Sequence, residues 1–132
     1  MLNLASISCF AQDSIPKIQL QKTYIVNEES IYFPLGNMAF ADSIVSFKIG
    51  LPSPRKEFRD PKSALGEPDH KHYMDNSYVS LGCKGELVLM FTDNGFIDIE
   101  GDDLYIFEIG PSVEGVEVDI SVDGEDWIYI GR

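Results

Sequence analysis

Apolar and polar residues alternate in short runs bounded by turn residues, and nothing between Gln12 and Arg132 holds a 3.6-residue period for long. Val116 to Val122 is the cleanest case: Val116, Val118, Ile120 and Val122 fall on one face, Glu117, Asp119 and Ser121 on the other. That pattern predicts a strand with one buried and one wet side. Leu104 to Ile109 and Glu86 to Phe91 are almost continuously apolar and predict central strands covered on both faces. Ser43 to Ile49, Tyr78 to Leu81 and Trp127 to Ile130 complete the set, each bounded by Gly, Pro, Asp or Asn. Together these runs predict an all-β chain, an antiparallel β-sandwich of jelly-roll type.

Turn chemistry supplies the connections. Asp123-Gly124, between the cleanest strand and Trp127, predicts a hairpin, because glycine accepts the positive φ that other residues resist. The stretch from Gly50 to Asn76 carries Pro52, Pro54, Pro61 and Pro68, so neither a ladder nor a helix can run through it. It is expected to be a surface loop with a short helical turn near Lys62 to Leu65. Loops of that length in compact domains are often functional. The chain ends at Arg132 soon after an apolar strand, and a sandwich normally closes with further strands, so the sequence is expected to continue.

With 132 residues, 44% of them apolar, the chain suits one domain and is too hydrophobic for a disordered polymer. Its charge changes the picture more. Residues 1 to 84 balance nine acids with nine Lys or Arg, whereas residues 85 to 132 hold thirteen acids and only Arg132, so the whole net charge of −12 sits in the second part. Such a surface repels phosphate backbones, which argues against a nucleic-acid partner. The carboxylates must be solvated, paired with a partner's cations or neutralised by a divalent ion.

Met1 to Ala11 is apolar and small, and Ala11 offers the residue that signal peptidase needs, so residues 1–11 are read as a signal-peptide remnant without its basic front end. An ordinary N-terminus is the plainer alternative. Residues 12–34 follow as a lead-in segment, and the domain proper is taken as 35–132. Cys9 falls in the removable part, and Ser6 stands where a lipoprotein motif wants Leu, so one thiol, Cys83, remains. Cys83 is expected to be a small packing group rather than a nucleophile, and Trp127 a core residue rather than a sugar platform.

Gly115 to Gly131 resembles the C-terminal half of galactose-binding-like jelly rolls of the discoidin or coagulation-factor type-C architecture, through Ser121, Asp123, Gly124, Trp127 and Gly131. Ala64-Leu65-Gly66-x-Pro68-Asp69, Tyr78-Val79-Ser80-Leu81-Gly82 and Gly101-Asp102-Asp103-Leu104-x-Ile106-Phe107-Glu108 look like a bacterial cell-surface subfamily of that fold. Over residues 35 to 132 the resemblance implies a non-catalytic, extracytoplasmic module of the cell surface or outer membrane that binds glycan or another envelope component. It also implies a structural calcium ion (Ca2+), with Asp93, Asp98, Glu100, Asp102 and Asp103 as candidate ligands. Calcium takes six to eight hard oxygens, but their spacing fails the EF-hand pattern, and a solvated acidic turn is the alternative.

His70 and His72 form an H-x-H pair without a third ligand placed by sequence, so a polar loop accounts for them better than a transition metal. With Tyr73 they are instead the candidate ligand contacts, since aromatic faces stack on sugar rings while His and Asp bond hydroxyls. No G-x-S-x-G elbow, H-E-x-x-H or phosphate loop is present, and carboxyl groups are too abundant to single out a glycosidase pair. The rival readings are a purely structural domain of an outer-membrane protein with a peptidoglycan-binding domain downstream, and an accessory domain of a secreted hydrolase.

Overall fold

The computed structural model describes residues 17–26, 28–72, 75–98, 100–110 and 114–132. Among them all regular structure is β-strand or short 3-10 turn. The chain is all-β, and the described residues form three two-stranded antiparallel sheets. It divides into two compact units, Met1–Phe40 and Ala41–Arg132. The expected signal remnant, residues 1–11, lies outside the described residues.

In the first unit, β1 (Lys22–Val26) pairs with β2 (Glu29–Phe33), Tyr24 opposite Ile31 and Lys22 opposite Phe33. This hairpin occupies the segment read from sequence only as a lead-in. Period-two alternation explains it: Tyr24 is buried while Thr23 and Ile25 face out. The ring of Tyr24 meets Phe33 edge-on at 5.7 Å and Phe40 at 5.2 Å, and Phe33 and Phe40 lie 5.4 Å apart. This aromatic trio is the centre of the small unit, in edge-on geometries that suit ring quadrupoles.

In the second unit, β3 (Ser43–Lys48) pairs with β4 (Glu86–Met90). The register shifts between Ile44 and Ser46, leaving Val45 as the extra residue of a bulge, 61% exposed. Lys48 stands opposite Glu86, so unlike charges face each other where the two strands leave for the long loop. The third sheet pairs β5 (Val118–Ile120) with β6 (Ile128–Gly131), Asp119 opposite Tyr129, around the Asp123-Gly124 turn. The hairpin expected from Asp-Gly is therefore present, with Gly124 at φ +78°.

Two expected strands do not form ladders. Leu104 to Ile109 and Tyr78 to Leu81 have no strand pairing, and Tyr105 and Ile106 are 39% and 58% exposed rather than covered. A run of apolar side chains specifies readiness for burial, whereas a strand exists only where a neighbour takes its backbone donors and acceptors. Trp127, expected in the core, is likewise 47% exposed.

Candidate functional site

The chain between β3 and β4 carries most of the organised polar chemistry among the described residues. Its ends are tied together: the Gly50 N–H donates to the Leu81 carbonyl at 2.9 Å, and the Leu51 N–H to the Cys83 carbonyl at 2.9 Å. Gly50 is required there, because a Cβ would stand 2.1 Å from the Cys83 carbonyl oxygen. Within the loop lie two 3-10 turns, Lys56–Phe58 and Pro61–Ala64. The second is close to the helical turn expected at Lys62 to Leu65. It starts where Asp60 accepts the Lys62 N–H at 3.0 Å and Pro61 needs no donor of its own.

One backbone bond pins the two sides of the loop across its width, and a second bond braces one side locally. The Ser80 N–H donates to the Phe58 carbonyl at 2.8 Å, and the Arg59 Nε–H to the Pro54 carbonyl at 2.7 Å. Phe58 and Tyr78 are thereby stacked, ring centroids 4.7 Å apart and planes within 12°. His70 meets Tyr78 edge-on at 5.9 Å. The three rings form a shelf of half-buried aromatic surface.

Asp75 orients the histidine. His70 Nδ1 lies 2.9 Å from Asp75 Oδ1 and 3.2 Å from Ser77 Oγ. The same carboxylate accepts the N–H groups of Lys71 at 2.8 Å, His72 at 3.2 Å and Ser77 at 3.2 Å, and the Ser77 hydroxyl as well. The Ser77 hydroxyl bond first, then the Lys71 N–H, hold the Asp75 carboxyl far below the usual carboxylate range. Serine and histidine thus converge on one carboxylate oxygen, which differs from a nucleophilic relay, where histidine stands between the other two. The arrangement fixes a ring and leaves its chemistry to whatever the shelf meets.

Of the expected ligand contacts, His70 is built into this shelf and His72 is exposed beside it, its backbone held by Asp75. Tyr73 lies outside the described residues. Sequence reasoning missed Asp75 as the organiser and Tyr78 and Phe58 as the shelf. Tyr78 was hidden by its reading as strand, although Asp75 followed by Ser77 is a familiar turn-forming pair.

The acidic candidates Asp93, Asp98, Glu100, Asp102 and Asp103 are all exposed. The chain bends at Gly101, φ +119°, between Glu100 and Asp102. Asp102 accepts the Tyr105 hydroxyl at 3.1 Å. Among the described residues no three His, Cys, Asp or Glu side chains converge into a metal cage. Cys83, expected as a packing group, is an exposed free thiol. No described helix is long and apolar enough to cross a membrane.

No protein family, curated protein or solved structure matches the chain.

Proposed function

We propose that this chain is a non-catalytic, extracytoplasmic module of galactose-binding-like β-sandwich type, whose long loop contacts a glycan or another hydroxyl-rich envelope component at the shelf of His70, Tyr78 and Phe58. One observation carries the reading: a histidine held by a carboxylate through Nδ1 stands edge-on to a stacked aromatic pair, which sets a polar ring beside apolar faces. Sugar rings are bound by that combination, their apolar faces on aromatic carbon and their hydroxyls on fixed nitrogen and oxygen. Rigid presentation matters, since an ordered side chain loses less entropy on binding.

The resemblance adds a structural calcium ion held by Asp93, Asp98, Glu100, Asp102 and Asp103. Binding there would draw these carboxylates together around the ion.

A glycan array followed by titration with the best-retained saccharide tests the contact surface. Saturable binding is expected, weakened about tenfold in His70→Ala, a loss equivalent to about one hydrogen bond. His72→Ala, which keeps the backbone bond to Asp75, is expected to bind within a fewfold of the parent. Absence of saturable binding to the array and to isolated cell-wall material would overturn the reading and favour a purely structural domain.

A further inference from the structure

Asparagine followed by glycine is chemically labile when the glycine nitrogen can reach the asparagine side-chain carbon, because no side chain on the glycine obstructs the approach. Three asparagines lie among the described residues, and they differ in whether the backbone N–H that follows each one is engaged. Asn37 is held at both ends of its amide, Oδ1 accepting the Gln19 N–H at 2.9 Å and Nδ2 donating to the Lys17 carbonyl at 3.0 Å. The nitrogen after it, on Met38, donates to the Leu35 carbonyl. After Asn76 the Ser77 nitrogen is engaged with Asp75.

Asn94 is half-buried with its Oδ1 out of solvent, and it is followed by Gly95, which is exposed and where a Cβ would meet nothing within 4 Å. Among the described residues the Gly95 N–H makes no hydrogen bond. The flanks of this turn are fixed: Phe91 and Phe96 meet edge-on at 4.9 Å, and Thr92 donates its N–H and hydroxyl to Asp42 at 2.6 and 2.9 Å. The Asn-Gly pair therefore lies between two clasped flanks.

We propose that Asn94 is a site of spontaneous deamidation, the preferred one among the described residues, and that the reaction remodels the tip of the acidic loop. The Gly95 nitrogen bonds to Asn94 Cγ as the Cγ–Nδ2 bond breaks, and the departing amide nitrogen leaves as ammonia with the proton from Gly95. A five-membered succinimide results. Water adds to either ring carbonyl and reopens it to an aspartyl or an isoaspartyl residue, with no oxidant or reductant involved. Either product adds a negative charge beside Asp93, and the isoaspartyl form inserts a methylene into the backbone between the Thr92 anchor and Phe96. Both changes act on the loop whose carboxylates are the candidate cation ligands.

Asp123-Gly124 is an internal contrast, since aspartate can cyclise the same way from its protonated form. There the Gly124 nitrogen donates to Ser121 Oγ at 2.9 Å, and Asp123 Oδ1 accepts the Glu125 and Asp126 N–H groups, both at 2.9 Å. Those backbone bonds hold the Asp123 carboxyl ionised and below its ordinary range. Attack is blocked at both partners, so the two Asx-Gly pairs of this chain behave oppositely.

The test is incubation of the full chain at mildly alkaline pH and body temperature, with peptide mass spectrometry over time. A gain of about 1 Da at position 94, with isoaspartate there, is expected while Asn37 and Asn76 stay amides. Gly95→Ala, which the open space accommodates, is expected to slow the reaction about tenfold through crowding by the new methyl group. Isoaspartate at Asp123 is expected only when denaturant releases the turn. Conversion at Asn94 no faster than at Asn76, or a rate unchanged in Gly95→Ala, would overturn the proposal.

Discussion

A carboxylate has lone pairs on both oxygens and no donor, which suits a position surrounded by N–H groups. Asp75 is such a position: Oδ2 takes the Lys71 and His72 N–H groups while Oδ1 takes those of Ser77, with His70 Nδ1 alongside. An amide in its place must turn an NH2 toward one of these donor sets. In Asp75→Asn the amide exchange of Lys71, His72 and Ser77 is therefore expected to speed up about fivefold, the scale of one ordinary hydrogen bond, and unchanged protection would refute the assignment. The pH dependence has a definite sign. Because the folded carboxyl is held below its unfolded value, its contribution is fully present above about pH 3.9 and is lost only as pH falls through the depressed folded value. At about pH 4, where an ordinary aspartic acid is half protonated, the Asp75 carboxyl carbon should still show the ionised shift by NMR.

Elements were legible where their cause is local. Asp123 and Gly124 announce a hairpin because the turn needs one positive φ and one side-chain acceptor, and both are supplied within four residues. Gly124→Ala places a Cβ in the left-handed region at a cost of about 1 kcal/mol, so the β5–β6 pairing between Asp119 and Tyr129 should weaken, seen as loss of cross-strand NOEs. Retained NOEs at parental intensity would refute that. Leu104 to Ile109 reads as strongly as any strand yet forms none, because strand formation is set by distant residues that periodicity cannot name. The β1–β2 hairpin went unread for a related reason: no Asn-Gly or Asp-Gly joins its strands, and Glu28 instead adopts φ +70°. The site shows the same division. His70 and His72 stand out by residue type, whereas Asp75's organising role depends on how the chain folds back over it.

At the scale of the molecule, apolar burial is modest and charge is lopsided. Among the described residues Tyr24 and Ala41 are the buried apolar side chains, while Leu51, Val122, Ile128 and Tyr129 are 60% exposed or more. Two-stranded sheets with so much apolar area in contact with water are marginal by themselves. Without additions, unfolding is expected to be gradual, with binding of a hydrophobic dye before the midpoint; a sharp cooperative transition would contradict this. Thirteen acids with one arginine in residues 85 to 132 add self-repulsion that a divalent ion would relieve. Calcium that binds only the folded chain stabilises it by mass action, about 2.7 kcal/mol at a hundredfold excess over its dissociation constant. The melting temperature should then rise with calcium but not with equal ionic strength of sodium, since screening alone lacks the site. Asp98→Asn combined with Asp102→Asn should abolish the calcium-specific part. A melting curve indifferent to calcium would remove the ion and leave the acidic half as a solvated face, its self-repulsion relieved by screening alone.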